Sequence, residues 1–212
     1  MKTISGKISW RGNIVSVQPR IRLLRSFDQR NHNYLGYSLH VSGVADGKER
    51  EFLVGIGKAA QAKYQFKAGD VVRGDAYPVI DNRTEVVEFY KTSKLEIIER
   101  ADPIVTTPPP WIGIPPELEI YRQRGHRRLD AKTYASYCRQ CIWGCLMPVE
   151  MIIDQWKPDK KQYRTETFCY GPKSCRLYNA GPTRKVPGRK GMTWEEEDWV
   201  DEEATAHRGE GD

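Results

Sequence analysis

The chain has 212 residues, of which 39% are hydrophobic, and its formal net charge is +6. With a mean hydropathy of −0.67, it has enough apolar residues for one moderate core or two small ones, which is typical of globular proteins. It contains no apolar run near the roughly 18 residues that span a bilayer, and its N-terminus lacks the apolar stretch of a secretory signal. The sequence therefore predicts a cytoplasmic protein with no membrane partner.

Charge is distributed unevenly along the chain. Residues 1–100 carry 17 basic and 11 acidic residues, residues 101–190 carry 16 and 8, and residues 191–212 carry 1 and 9. Two basic blocks therefore precede an acidic tail. Because a basic body raises the local concentration of polyanions, nucleic acid is the first partner to consider.

Residues 1–102 are predicted to form an N-terminal barrel. Apolar and β-branched residues alternate or run together, as in β-strands, through KISWRGNIVSVQ, YLGYSLHVSG, REFLVGIG, DVVRGDAYPVI and TEVVEFYKTSKLEII. Between the third and fourth segments, KAAQAKYQFKAGD predicts a short helix closed by Gly69. This order, with a long first strand that can bend at Gly12 and near Pro19, resembles an OB-fold.

The resemblance implies a face that binds single strands or oligosaccharides. Arginines and aromatic residues are interleaved along the first two strands, where they could supply cations for phosphates and rings for base stacking. The expected nucleic-acid contacts are Trp10, Arg20, Arg22, Arg25, Phe27, Arg30, Tyr34 and Tyr37. The alternative is that aromatic residues such as Trp10 and Tyr37 pack the barrel core and the arginines form a solvated face.

A proline-rich segment follows the barrel. Residues 103–116 contain six prolines, which fix φ and remove backbone donors, so this stretch is predicted to be an extended linker. Residues 117–191 are predicted to form a second, cysteine-rich module. Its basic sequence RQRGHRR places Arg127 and Arg128 as candidate phosphate contacts.

All five cysteines lie in this second module, at positions 138, 141, 145, 169 and 175. In a reducing compartment a metal site is favoured over a disulfide framework. A CxxC pair and a later cysteine pair fit a tetrahedral zinc site, so Cys138, Cys141, Cys169 and Cys175 are the predicted ligands. Alternatively, Cys145 joins Cys138, Cys141 and one of the later two cysteines to hold a [4Fe-4S] cluster. Plain reduced thiols are the third possibility.

The last cysteine is followed by a basic loop and then by an acidic tail. Arg184, Lys185, Arg189 and Lys190 lie among prolines and glycines, in a loop that could follow a phosphate backbone or be a solvated connector. In the tail, residues 192–212, Thr193 and Glu196 have capping-box spacing, which predicts a short acidic helix. Its charge is similar to that of the acidic tails with which bacterial single-strand-binding proteins dock partners and compete with DNA. The alternative is a solubilising helix.

These patterns together predict a mainly β protein: a five-stranded OB-type barrel with one short helix, a small cysteine-rich α+β metal-binding module and an acidic C-terminal helix. No P-loop, HExxH or GxSxG motif indicates catalysis. The combination resembles the OB-plus-zinc-ribbon arrangement of replication and repair proteins. It predicts a non-catalytic accessory protein that binds single-stranded DNA or RNA in replication, repair, recombination or defence. The alternatives are an iron-sulfur protein in redox or nucleic-acid processing and a protein-protein adaptor that uses the OB face and the tail.

Overall fold

The computed structural model describes residues 6–26, 29–103, 107–196, 199–209 and 212, and the fold is mainly β, as predicted. The barrel elements are β1 (Ile8–Arg25), β2 (Arg30–Ala45), β3 (Lys48–Ile56), α1 (Lys58–Tyr64), β4 (Val71–Pro78) and β5 (Phe89–Glu99). The later elements are α2 (Leu118–Arg124), β6 (Arg127–Arg128), α3 (Ala131–Ser136), β7 (Gly144–Ile152), β8 (Lys161–Cys169), β9 (Arg184–Pro187), β10 (Thr193–Glu196) and α4 (Trp199–Thr205). Within the described ranges, no helix is long and apolar enough to cross a membrane.

The first five strands close into a ring in the order β1–β2–β3–β5–β4. β1 pairs antiparallel with β2 along most of its length and with β4 through its first third, Ile8 to Asn13. A short parallel contact between Val54 of β3 and Phe89 of β5 completes the ring. The predicted five-stranded barrel, with a helix between its third and fourth strands, is confirmed.

The first strand is long enough to serve both the barrel and the rest of the sheet. β1 has 18 residues, whereas strands usually have about 3–10. Its pairing with β2 shifts register between Ile14 and Ser16 and again between Arg20 and Ile21, and such bulges increase the twist of a strand. At the predicted bend, a Cβ on Gly12 would lie 2.4 Å from the carbonyl oxygen of Ser42. Glycine is therefore required there for the two strands to approach each other.

The second half of the chain extends the same sheet. β7 pairs in parallel with the end of β1, where Leu23 lies opposite Val149, and β8 and β6 follow outward. Side chains from both halves share one core, which includes Ile21, Leu23, Cys145, Met147, Val149, Phe168 and Tyr170. Residues on both sides of the proline-rich segment therefore belong to one sheet and one core. The division of the chain into domains stays a prediction.

In the proline-rich segment, of which residues 103 and 107–116 are described, the backbone contacts both halves. The backbone nitrogen of Ile142 donates to the carbonyl oxygen of Trp111 at 2.9 Å. The hydroxyl group of Tyr37 in β2 donates to the carbonyl oxygen of Pro116 at 2.8 Å. The segment is thus held by the cysteine-rich half at one end and by the barrel at the other.

The tail does not begin with a helix at Thr193. Thr193–Glu196 instead forms strand β10, which pairs antiparallel with β9 so that Trp194 lies opposite Val186. The prediction of a helix start at Thr193 is wrong, because cross-strand pairing and the tertiary contacts of Glu196 override the local capping preference. A helix, α4, follows only at Trp199.

The barrel core generates a stability prediction at Trp10. This side chain is 2% exposed and packs edge-on against Phe52, with ring centroids 6.1 Å apart. We expect Trp10→Ala to lower the free energy of unfolding by about 3–5 kcal/mol, as for other large aromatic truncations in cores. Urea denaturation measures this value. The control Val44→Ala, at a side chain that is 44% exposed in β2, should change it by less than about 0.5 kcal/mol. A loss below 1 kcal/mol for Trp10→Ala would contradict the assignment.

Candidate nucleic-acid interface and cysteine cluster

Two aromatic residues predicted to stack on bases lie inside the barrel. Trp10 and Tyr37 are both buried members of the main core. Side chains on a strand alternate between its two faces, and the faces that carry these two rings point inward. The structure thus corrects the prediction that Trp10 and Tyr37 contact nucleic acid.

The first pair of predicted phosphate contacts is held by one carboxylate. Arg20 donates to both oxygens of Glu85, at 2.9 Å from Nε and 2.7 Å from Nη2. Arg22 donates to Glu85 Oε1 at 2.7 Å. Glu85 lies in the loop between β4 and β5, and its side chain is almost fully covered. Arg20 is therefore a structural cation. Arg22 stays partly exposed but shares the same counter-charge.

The second pair is held by the tail. The carboxylate of Glu196 in β10 accepts from Arg25 Nη2 at 2.9 Å and from Arg30 Nη1 at 2.7 Å. Arg25 is buried, whereas Arg30 is partly exposed. Burying a cation is costly unless a carboxylate pairs with it. Glu196 supplies that carboxylate, so Arg25 is not a surface contact as predicted.

Arg128 and Arg184 were predicted as phosphate contacts, and both are buried. Arg128 donates from Nε to Asp201 Oδ2 of α4 at 3.1 Å. Arg184 pairs with the buried carboxylate of Glu166 and lies over the ring of Phe168. Both predictions are corrected, because these guanidinium groups are enclosed with their carboxylates inside the fold.

Three other predicted contacts have different outcomes. Tyr34 is partly buried, and the guanidinium group of Arg122 lies 4.9 Å from its ring centroid. Arg127 is partly buried and stacks on Tyr178 at 3.8 Å. Phe27 lies outside the described residues. Tyr34 and Arg127 therefore take part in cation–π contacts within the protein.

The cysteine-rich segment packs on the barrel through Gln18 of β1. The Gln18 amide nitrogen donates to the carbonyl oxygens of Cys138 and Cys141, at 2.8 Å each. Its amide oxygen accepts from the hydroxyl group of Tyr134 in α3 at 2.7 Å. A Cβ on Gly144 would lie 2.3 Å from the Cys138 carbonyl oxygen and 2.7 Å from this amide nitrogen. Glycine is therefore needed where the segment meets β1.

Four of the five cysteines influence one another electrostatically. Burial raises the pKa of the Cys138 thiol to about 12, and repulsion from Cys169, Cys141 and Cys175 adds to this effect. Burial likewise raises the pKa of Cys141 to about 11. Cys138, Cys141 and Cys169 also belong to one small apolar cluster. The fold thus brings the CxxC pair and the later pair into the same region.

Backbone N–H groups point at two of these sulfur atoms. Gly171 donates to Cys169 Sγ at 3.3 Å, and the backbone groups of Trp143 and Trp111 lower the pKa of Cys141 by hydrogen bonding. Such donors stabilise a thiolate, which is the form that binds metal. Across the described ranges, no group of three or more His, Cys, Asp or Glu side chains is arranged to hold a metal ion. The donor set therefore fits a metal thiolate site in its chemistry, while its side chains are not drawn together around one point.

Cys145 lies apart from this cluster. It is completely buried in the main core, and its thiol donates to the carbonyl oxygen of Pro19 at 3.5 Å. Burial raises the pKa of this thiol well above its ordinary value. Cys145 is thus a buried residue of the main core, whereas Cys138, Cys141 and Cys169 belong to the smaller cluster.

An exposed cleft lies between two hairpin turns, and we call it the hairpin cleft. Its volume is about 210 Å³, and its lining includes Ile153, Asp154, Trp156, Arg189, Met192 and Trp194. Trp156, at the turn between β7 and β8, is 82% exposed, and Trp194 of β10 is 46% exposed. With Met192, which is also exposed, the two tryptophans form an apolar patch, and contiguous exposed patches of this kind often mark interaction sites.

The predicted contacts Lys185, Arg189 and Lys190 are exposed and lie on the hairpin that forms one side of this cleft. The sequence analysis did not single out Trp156 and Trp194, which the structure leaves exposed in this cleft. The available signal was the turn WKPDKK, in which a tryptophan stands among lysines and a proline with no apolar neighbour after it.

The acidic tail is packed against the rest of the protein. Val200 and Thr205 of α4 are buried, as is Arg208. Arg208 donates to the carbonyl oxygen of Tyr170 at 3.1 Å, and Arg124 of α2 pairs with Asp212 at 2.8 Å. The described part of the tail therefore has a structural role, because it packs on the rest of the fold and forms ion pairs with basic residues there.

Comparison with protein-family models, curated protein sequences and solved structures finds no match for this chain. The likeness to an OB-fold accordingly rests on the order of the barrel strands and the position of α1. The chemistry of the hairpin cleft and of the cysteine cluster is the basis for any functional conclusion.

His32, which lies near the charges of Arg25, Arg30 and Glu196, predicts how the stability of the protein depends on pH. Burial, with the positive charges of Arg30 and Arg25, lowers the pKa of His32 to about 4, and Glu196 opposes this shift. In the unfolded chain a histidine titrates near pH 6.5. Between these values the unfolded chain binds the extra proton. The contribution of His32 to stability is therefore complete above about pH 6.5 and is lost as the pH falls towards 4.

Lowering the pH from 7 to 5 should lower the urea concentration at the unfolding midpoint of the wild-type protein. We expect this fall to be smaller for His32→Asn. An equal fall in both proteins would show that His32 does not cause it. Part of the fall should remain in the variant, because burial also lowers the pKa of the neighbouring His126, whose ring centroid is 4.8 Å from that of His32.

Proposed function

We propose that this protein binds single-stranded nucleic acid and that the hairpin cleft is its contact surface. The observation that carries the proposal is Trp156, which projects into solvent from a turn that also bears exposed lysines. An exposed aromatic ring can stack on a base, a contact worth about 1–3 kcal/mol per base. The bases of a duplex are already stacked on one another, so this surface favours a single strand.

The charge around the cleft supports the proposal. The turn of β7 and β8 carries Lys157 and Lys160, and the β9–β10 hairpin carries Lys185, Arg189 and Lys190; all five are exposed. Unlike the buried arginines, these cations can reach phosphates. A strand that crosses both turns would meet cations on each side of the two tryptophans, as in grooves that follow a single-stranded backbone.

The barrel has a different role in this proposal from the one its fold suggests. We infer from its strand order and helix position that it is an OB-fold. The cysteine-rich segment occupies the part of its outer surface around Gln18, so the barrel acts as a scaffold and the added hairpins make the contact. The proposed role is that of a non-catalytic accessory factor in replication, repair, recombination or defence.

The proposal predicts the effect of Trp156→Ala on binding. We expect the wild-type protein to bind labelled single-stranded DNA or RNA more tightly than duplex DNA, and its affinity to fall steeply with salt because phosphate contacts release counterions. Trp156→Ala should weaken binding by about 5- to 100-fold, the loss of one stacking contact. Fluorescence anisotropy across a salt series measures both effects.

The matched control is Val44→Ala, which shortens an exposed apolar side chain on the barrel near the turn between β2 and β3, and it should bind as the wild type does. Binding that is absent, or that is the same for Trp156→Ala and the wild type, would contradict the proposal. If Trp156→Ala binds as tightly as the wild type, a protein becomes the next candidate partner for the hairpin cleft.

We also propose that Cys138, Cys141, Cys169 and Cys175 hold one structural zinc ion. Its support is that two chain segments bring the CxxC pair and the later pair into one region. Backbone N–H groups there donate towards Cys141 and Cys169 and oppose the rise in pKa that burial causes. Bound zinc would supply folding free energy by fixing this segment against Gln18. Cys145 lies in the main core and is not part of this proposed ligand set. A [4Fe-4S] cluster that uses Cys138, Cys141, Cys145 and one later cysteine stays the alternative, and metal analysis distinguishes the two.

The zinc proposal predicts different outcomes for two cysteine variants. Elemental analysis of the dialysed protein should find about one zinc per chain in the wild type and in Cys145→Ser, and much less in Cys169→Ser. A chelator should remove the metal faster at pH 5 than at pH 7, because protons compete for the thiolates. Retention of zinc by Cys169→Ser would contradict the ligand set. If the wild-type protein instead contains iron and shows the brown absorbance of an iron-sulfur cluster, the cofactor is the alternative one and not zinc.

A further inference from the structure

We propose that the hairpin cleft accommodates a single guanine base of the bound strand, stacked on tryptophan and hydrogen-bonded to Asp154. This inference rests on the proposed function and adds a base preference to it. Its three supports are the size of the cleft, the carboxylate in its lining, and the aromatic rings and cations around it.

The size of the cleft suits one base. Pockets for drug-sized ligands usually measure about 300–1,000 Å³, whereas the hairpin cleft has a volume of about 210 Å³. It is lined by Trp156, Trp194 and Met192, and flat or polarisable side chains of this kind pack well on an aromatic base. A base that leaves the strand can enter, while its sugar and phosphate stay at the rim.

Asp154 is the polar group that can read the base. Its Oδ1 accepts from the backbone nitrogen of Trp156 at 3.1 Å, and its Oδ2 is 3.9 Å from Nε of Arg189, which is beyond hydrogen-bond distance. A carboxylate has about four acceptor positions, so further positions are available. The contact with the Trp156 backbone also holds the carboxylate beside the residue that bears the indole ring.

The chemistry of a carboxylate selects among the bases. An ionised carboxylate only accepts hydrogen bonds, so it is best matched by two neighbouring donors. Guanine has such a pair on its Watson–Crick edge, N1–H and the 2-amino group. Adenine and cytosine place an acceptor nitrogen beside their single amino group, and uracil and thymine place their one N–H between two carbonyl groups. An acceptor facing the carboxylate is repelled, which disfavours these four bases.

The cations around the cleft suit the phosphates that flank the base. Arg189 lines the cleft and is exposed, and its neighbour Lys190 is exposed as well. Both can contact a phosphate while the base is held on Asp154. The cleft thus combines an acceptor for the base with cations for the backbone, which matches one nucleotide of a strand in both charge and hydrogen bonding.

The experiment compares two oligothymidylates that differ in one central nucleotide, guanosine or adenosine, with an all-thymidine strand as reference. Anisotropy titrations with the wild-type protein should give at least about fivefold tighter binding for the guanosine strand than for the adenosine strand, since a good bidentate contact discriminates by this much or more. Asp154→Asn should bring that ratio close to 1. The amide oxygen of the asparagine can still accept from the Trp156 N–H. Its NH2 group, however, is a donor where the aspartate offered guanine an acceptor oxygen.

The matched control is Asp159→Asn, which removes the same charge from an exposed position of the same turn and should keep the guanosine preference. Equal affinities for the two strands, with salt-dependent binding of all three, would overturn the guanine assignment and leave the proposed function intact. A preference that survives in Asp154→Asn would overturn the role of Asp154. Absence of binding to any strand would overturn the proposed function and this inference together.

Discussion

The parallel pairing of β7 with the end of β1 is the contact on which the rest of the architecture depends. Leu23, Leu24 and Arg25 of β1 pair with Val149, Glu150 and Met151 of β7. Backbone groups at a sheet edge need partners when they are covered, and this pairing supplies them where β1 extends beyond β4. It brings β8 and β6 into the same sheet. It also places the β7–β8 turn, with its exposed tryptophan, at the outer end of that extension.

Coverage of the extended β1–β2 hairpin forces its arginines to find carboxylates inside the fold. Glu85 reaches Arg20 and Arg22 from the β4–β5 loop, and Glu196 reaches Arg25 and Arg30 from the tail. The acidic tail and the basic body, which look like separate charge blocks in the sequence, are therefore partners in one structure. Removal of the tail would leave buried guanidinium groups uncompensated, which is strongly destabilising.

This internal pairing explains where the free positive charge remains. Many of the arginines on β1 and β2 are occupied by carboxylates, whereas the lysines and arginine at the two hairpin turns stay exposed. The two tryptophans of the hairpin cleft lie among these cations. The cysteine cluster has a supporting part in this arrangement, because Cys169 ends β8 and the segment of Cys138 and Cys141 leads directly into β7. Order at the cysteines thus fixes the base of the hairpin whose tip bears Trp156.

The sequence by itself determined the mainly β fold, the five-stranded barrel and the helix between its third and fourth strands, because strand periodicity and helix propensity are local signals. It also identified the exposed cations Lys185, Arg189 and Lys190. Only the tertiary structure decided which arginines are buried, because ion pairs such as Arg25 with Glu196 join residues far apart in the chain. It also decided that Thr193 begins a strand, that Cys145 belongs to the core and that Trp156 is exposed. Each of these outcomes depends on which segments pack together, and a local pattern of residues does not carry that information.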